Sequence, residues 1–155
     1  MIYHDVIVVG SGLAGQRAAL EAISHDIDVA IISKLKPMNS HSVLAQGGIN
    51  IAIDDLDRTN YFEDTVKGSD YLADQDAVEI MCREAGDALI ELEHMGVIFS
   101  RDDEGKLGTR AFGGQKKART FFVGAITGSA MLHVLYEQSV KYNLSIYEEW
   151  FVSSL

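Results

Sequence analysis

Three glycines, Gly10, Gly12 and Gly15, stand at the spacing that lets a backbone turn hold a pyrophosphate. The first permits a tight turn, the second lets the backbone approach the phosphates, and the third lets the next helix pack closely. Ser11, Leu13 and Ala14 fill the positions between them. Phosphates held this way sit at a helix N-terminus, where free N–H groups and the positive dipole end favour anions. A glycine-rich turn with no ligand is the competing reading, and the flanking residues weigh against it. No Cys/His cluster has metal-ligand spacing, so no metal site is expected.

The turn needs a strand before it and a helix after it. Val6-Ile7-Val8-Val9 reads as a buried parallel strand, and Arg17-Ala18-Ala19-Leu20-Glu21-Ala22 as the helix. A second strand, Asp28 to Ser33, completes a βαβ unit. In nicotinamide-binding proteins a carboxylate near this strand's end commonly takes the ribose hydroxyls, whereas Ser33-Lys34 stands here. That weakens an NAD reading and leaves FAD open. Beyond Pro37, Asn39 or Ser40 can cap a short helix that Gly47-Gly48 ends. His41 near its start is, taken alone, unremarkable.

Farther on, Asp54 to Asp57 reads as a solvated acidic loop, and Tyr61 to Lys67 as a short helix stopped by Gly68. The longest helix runs from Asp76 to Met95, with Val78, Met81, Cys82, Ala85, Leu89 and Leu92 on its core face. Cys82 then acts as a small buried hydrophobe rather than a nucleophile. Val97 to Ser100 and the residues around Leu107 flank a hairpin-like turn. Arg110 to Thr120 gathers cations, either as a solvated loop or as an anion-facing one. The last helix, Thr127 to Tyr142, turns Met131, Val134 and Leu135 inward and carries His133 in a structural role. Ser145 to Val152 is the closing strand, and its position at the chain's end suggests a truncation.

Bulk properties narrow the function. The sequence has 155 residues, 47% of them hydrophobic, which suits about one globular domain. A net charge of -10, with no basic stripe, argues against nucleic acid as a partner. One cysteine allows no internal disulfide, and no apolar run reaches transmembrane length. Met1 precedes the first strand too closely for a signal peptide in this form of the chain.

Taken together, the residues resemble one family, the flavoprotein subunit of succinate dehydrogenase and fumarate reductase. The most specific part is Ser40-His41-Ser42-Val43-Leu44-Ala45-Gln46-Gly47-Gly48, similar to the family's Ser-His-Thr-x-x-Ala-Gln-Gly-Gly segment. Further matches are Asp64 to Asp70, Phe112-Gly113-Gly114, Arg119-Thr120, Thr127-Gly128 and Met131-Leu132-His133. Two places depart: Asn39 stands where the family usually has arginine, and Gly124 to Gly128 lacks the family's usual acid and base.

The resemblance implies an α/β fold, a doubly wound Rossmann-like FAD-binding domain. Residues 1–155 would be its N-terminal part, with the capping and C-terminal domains outside the chain. It implies FAD as cofactor, its pyrophosphate on Gly10, Ser11, Gly12, Leu13, Ala14 and Gly15. Ser33 and Lys34 would border the adenosine, and Phe151 and Val152 would pass the adenine end. Ser40, His41, Ser42, Ala45, Gln46, Gly47 and Gly48 would line the flavin, with His41 bonded covalently to its 8α-methyl carbon. The implied reaction interconverts succinate and fumarate by hydride transfer between a dicarboxylate carbon and flavin N5. The implied partners are an iron–sulfur subunit and a membrane anchor that handles quinone, which puts the protein peripherally on the cytoplasmic face of the membrane. The family's substrate-binding cations and proton donor lie beyond Leu155, so no catalytic residue is assigned within the chain. Two alternatives remain. One is a soluble enzyme like L-aspartate oxidase, which shares the Ala-Gln-Gly-Gly segment but normally lacks the histidine. The other is a flavin-binding module that acts only with partners.

Overall fold

The structure, a computed structural model, describes residues 2–113 and 117–154. The chain divides into two compact units, Met1–Ala45 with Gly128–Leu155, and Gln46–Thr127.

In the first unit, strands β1 (Val6–Val9), β2 (Val29–Ser33) and β6 (Ser145–Glu148) form a parallel sheet with β2 in the middle. The register runs from Val6 opposite Val29 to Val9 opposite Ile32, and from Ala30 opposite Ser145 to Ser33 opposite Glu148. Helix α1 (Leu13–Ser24) crosses between β1 and β2 and sets Ala19 against Val29 and Ile31. Burying an aliphatic side chain of that size stabilises by about 1.5–3 kcal/mol, so this small patch anchors the crossover. Helix α4 (Thr127–Lys141) buries Met131, Leu132 and Leu135. Val134, expected inward, is half-buried, and His133 is exposed rather than structural. The closing strand stops at Glu148, short of Val152, because Glu149 takes a left-handed φ of 62° that ends the ladder. The helix expected after Pro37 is two 3-10 turns, Pro37–Asn39 and His41–Leu44, with Ser40 between them.

In the second unit, α2 (Asp55–Gly68) and α3 (Gln75–Met95) pack around Ala52, Tyr61, Val66, Val78 and Cys82. The acidic stretch is solvated at Asp54 to Leu56, as expected, but it is a helix start rather than a loop, and Asp57 is buried. Asp54 caps α2, its Oδ1 accepting the Asp57 N–H at 2.7 Å, and Asp55 and Asp57 lie in the first turn, where the helix dipole favours them. The helix therefore begins at Asp55 rather than Tyr61. On α3, Val78, Cys82 and Leu89 are buried as expected, but Met81 is 41% exposed, since it lies off the line those three make. Burial pushes the Cys82 thiol pKa up, against a hydrogen bond from Thr65. Strands β3 (Ile49–Asn50), β4 (Thr109–Arg110) and β5 (Thr120–Phe121) make a small antiparallel sheet with β5 central. The hairpin expected around residues 102–106 is reduced to one bridge, Arg101 with Leu107.

Arg119, just before β5, ties that sheet to α2. Its Nε and Nη2 donate to both carboxylate oxygens of Asp57, at 3.1 and 3.0 Å, and Nη1 donates to Asp64 at 2.7 Å. The Tyr61 ring lies 5.6 Å from the guanidinium carbon. Asp57, Tyr61 and Asp64 are spaced four and three residues apart, so one helical face presents carboxylate, ring and carboxylate in a row. Arg119 is 2% exposed, and burial opposes its charge, yet the two carboxylates outweigh that and raise its pKa. Burial likewise pushes the Tyr61 hydroxyl up to about 12. Replacing Arg119 with Met removes the buried cation that bridges Asp57 and Asp64 and is expected to cost about 3–5 kcal/mol. Arg119→Lys should recover only part of this, because an ammonium cannot bridge Asp57 in the same two-pronged way. Urea denaturation followed by circular dichroism measures both, and an unchanged midpoint in Arg119→Met would refute the role.

Candidate functional site

The first unit gathers the glycine turn, the end of β2, the Ser40–His41 step and the residues after β6 around one crevice of about 520 Å³. It opens at the C-terminal ends of the parallel strands, where ligands bind in open α/β sheets. Its walls include Gly10, Ser11, Gly12, Ser33, Lys34, Ser40, His41, Phe151 and Val152, together with Trp150.

A close approach creates the turn. A Cβ on Gly15 would lie 1.9 Å from the carbonyl oxygen of Gly10, so α1 meets β1 where no side chain fits. Gly10 itself takes φ 111°, which only glycine adopts without strain. Gly12 then sits at the N-cap of α1 without a side-chain cap, leaving the first turn to find acceptors elsewhere. One is found: the Leu13 N–H donates to Ser42 Oγ at 3.2 Å. Leu13, Ala14 and Gly15 lie on the first turn of α1, and Gly15 faces Gly10 rather than the crevice.

Ser11 is held from two sides. Its hydroxyl donates to Ser33 Oγ at 2.7 Å, tying the turn to the end of β2, and its carbonyl accepts from Gln16 Nε2 at 3.0 Å. Trp150 N–H donates to the Ser33 carbonyl at 3.0 Å and keeps the residues after β6 beside β2. Lys34 Nζ lies 5.8 Å from the centre of the Phe151 ring, a cation over an exposed aromatic at the crevice mouth.

The turn that carries His41 is fixed by α4. A Cβ on Gly128 would lie 2.0 Å from the Ser42 carbonyl oxygen, and the Gly128 N–H donates to the Ala45 carbonyl at 2.7 Å. His41 is exposed on the crevice wall. Next to it, Ser40 Oγ is buried and has no hydrogen-bond partner among the described residues, and it lies 3.9 Å from the place a Cβ on Gly12 would take. A buried hydroxyl without a partner costs about 1–3 kcal/mol, so it calls for an acceptor beside the glycine turn. A phosphate there fits both that hydroxyl and the dipole of α1.

Gln46, Gly47 and Gly48 belong to the second unit. There Arg110 donates to the Gln46 and Gly47 carbonyls at 2.7 and 2.6 Å, and its guanidinium stacks 4.4 Å from the Phe122 ring centre. Lys117 pairs with Asp54 at 3.2 Å. The basic stretch is thus a set of braces within its own unit; Gly114, Gln115 and Lys116 lie outside the described residues. The sequence reading passed over Gln16, Trp150 and the packing role of Gly128. Gln16 had a visible signal, a polar residue three and four positions before Ala19 and Leu20 on the buried face.

A parallel sheet, a glycine turn entering a helix and a crevice at the strand ends define a dinucleotide-binding α/β protein. Residues 5–155 match the family described as FAD binding domain, and the chain belongs to that family. The whole chain is 46% identical to a succinate dehydrogenase flavoprotein subunit of Rickettsia bellii, of which it spans 28%. It is 44% identical over 98% of its length to a fumarate reductase flavoprotein subunit of Mycobacterium tuberculosis, spanning 27% of that protein. Among solved structures it matches an E. coli quinol fumarate reductase chain with a TM-score of 0.87 at 37% identity, covering 94% of this chain and 26% of that one. Among the described residues, no helix is long and apolar enough to cross a membrane.

Gly15→Ala is expected to destabilise the protein by at least about 1–3 kcal/mol, because a backbone carbonyl must move to admit the methyl group. Gly68→Ala is the control: it ends α2, nothing lies within 4 Å of the added carbon, and it should be neutral or stabilising. Equal urea midpoints for the two variants would contradict the close approach.

Proposed function

We propose that this chain holds FAD in the crevice of its first unit as part of a flavoprotein that interconverts succinate and fumarate, with the cofactor attached covalently to His41. The observation that carries the reading is the partnerless buried Ser40 hydroxyl beside the glycine turn, with His41 next to it on the same wall. The similarity of the whole chain to succinate dehydrogenase and fumarate reductase flavoproteins supports the substrate pair.

Bound there, FAD would supply the two-electron chemistry of dicarboxylate oxidation and reduction. Gly10, Ser11 and Gly12 let the backbone come close to the pyrophosphate, and Leu13, Ala14 and Gly15 form the helix start whose dipole attracts it. Ser40 and Ser42 flank that helix start with hydroxyls. Ser33 and Lys34 border the adenosine, with Phe151 and Val152 at its adenine end. Ala45, Gln46, Gly47 and Gly48 follow His41 along the flavin. His41 would exchange its ring N–H for a bond to the 8α carbon, which gives up one hydrogen. The bond would need a two-electron acceptor, for which fumarate, the oxidised member of the proposed substrate pair, would serve. His41 is then a tether rather than an acid or base, and the chain contributes no proton-transfer residue. An iron–sulfur subunit, a membrane anchor and a peripheral place on the cytoplasmic face of the membrane complete the proposal. The quinol fumarate reductase and the Sdh1 complex among the structural relatives support the presence of other subunits, and the cytoplasmic face rests on the family resemblance.

His41→Ser is expected to leave FAD bound but extractable by acid, and to impair succinate oxidation far more than fumarate reduction. The asymmetry follows if the histidine–flavin bond raises the flavin's potential, since only the oxidation depends on that rise. Mass spectrometry of the tryptic peptide tests the bond, and paired assays in the assembled enzyme test the asymmetry. Absence of a flavin adduct on wild-type His41, in protein made with its partner subunits, would contradict the covalent assignment and favour a soluble oxidase.

A further inference from the structure

Gln16 has no role in the glycine spacing and is not itself part of the crevice wall, yet it is fully buried on α1. Its Nε2 donates to the Ser11 carbonyl at 3.0 Å, and its Oε1 faces Ser139 Oγ on α4 at 3.4 Å. The Ser139 hydroxyl has one hydrogen, and the Leu135 carbonyl lies closer to it, at 2.9 Å. The bond to Ser11 is therefore the strong one that Gln16 makes. It acts on the peptide at the centre of the turn.

A peptide group is rigid, and every described bond in the chain is trans. The Ser11 carbonyl and the Gly12 N–H consequently point in opposite directions. Pulling the carbonyl inward to Gln16 turns the N–H outward, and Gly12 lines the crevice. Without that anchor, rotation of the Ser11–Gly12 peptide would present a carbonyl oxygen where an anion is to sit.

We infer that Gln16 is a positioning residue for the pyrophosphate: by holding the Ser11 carbonyl it aims the Gly12 N–H into the crevice. This deepens the proposal that the crevice takes FAD and rests on it. The Ser11–Ser33 hydroxyl bond fixes the same residue from the β2 side, so the turn is clamped between α1 and the sheet. Gln16 reaches the ligand only through that peptide.

The test uses ADP-ribose, which carries the pyrophosphate and has no flavin to bond to His41. The sequence holds one tryptophan, Trp150, which lines the crevice and reports binding by fluorescence. Gln16→Met keeps the volume and removes the donor, and affinity for ADP-ribose should fall about tenfold, or about 1.4 kcal/mol. The Gly12 amide proton, which should move downfield in the wild-type complex by NMR, should stay in place. Gln16→Glu adds a readout that loss of packing cannot imitate. A protonated glutamic acid donates to the Ser11 carbonyl and a carboxylate repels it, so affinity should fall as pH rises, while wild type changes little. Burial raises the pKa of a glutamate, which brings this transition into an accessible range. Full affinity and a retained Gly12 shift in Gln16→Met, or a pH profile in Gln16→Glu that matches wild type, would overturn the inference. Loss of the fold in both variants, seen by circular dichroism, would assign Gln16 to general packing and overturn it as well. If wild type binds neither ADP-ribose nor FAD, the proposal of a cofactor crevice fails first, and the two failures are distinguishable.

Discussion

The approach of α1 to β1 at Gly10 and Gly15 sets the rest of the first unit. A carbonyl oxygen occupies the space where any Cβ at position 15 would go, so the helix starts almost on top of the strand. The chain must then reverse within Ser11 and Gly12, and α1 begins with its N–H groups facing the ends of the strands. The crevice follows from this. Its floor is the end of β1 and β2, and its lip is the chain that leaves β6 through the left-handed Glu149.

The same economy of space fixes the turn that bears His41. Gly128 lets the start of α4 lie against the Ser42 and Ala45 carbonyls, and Ser42 in turn accepts the Leu13 N–H. One short stretch is thus gripped by the N-terminal ends of two helices. The covalent bond proposed for His41 requires such ordering, because reaction depends on holding the partners within reach. The second unit uses charge instead: Arg119 locks β5 to α2 through Asp57 and Asp64. The small sheet thereby gains a geometric constraint on α2 that the apolar cluster of α2 and α3 does not supply.

Sequence reading recovered the parts whose signal is local. The glycine spacing, the Ala-rich α1 and the strand at Val6–Val9 are each legible within a few residues, and the parallel pairing follows from the βαβ order. However, β1 is an edge strand with Val6, Ile7 and Val9 exposed, not the buried strand its apolar run implies. It failed where a residue's role depends on a distant partner. Asp54 to Asp57 reads as solvent-facing until Arg119, far along the chain, is seen to bury Asp57. Gly128 looks like an ordinary residue near a helix start until the Ser42 carbonyl is placed against it. Gln16 carries a local sign of burial, its place before Ala19 and Leu20, but its bonds to Ser11 and Ser139 leave no trace in one dimension. The expected strand from Ser145 to Val152 ran long because a left-handed glutamate leaves little trace in composition. Ser40 and His41 are singled out only by the resemblance of their segment, since a single histidine in a turn carries no chemistry of its own; the structure places both on the crevice wall.

The central claim is that the crevice at the ends of β1 and β2 is the place where FAD is held and bonded. A crystal structure of the protein with FAD tests it most directly. The account predicts pyrophosphate oxygens in hydrogen-bonding range of the Gly12 N–H and the Ser40 hydroxyl, and continuous density from a His41 ring nitrogen to the flavin 8α carbon. FAD bound elsewhere, or a pyrophosphate in place with the flavin turned away from His41, would contradict it.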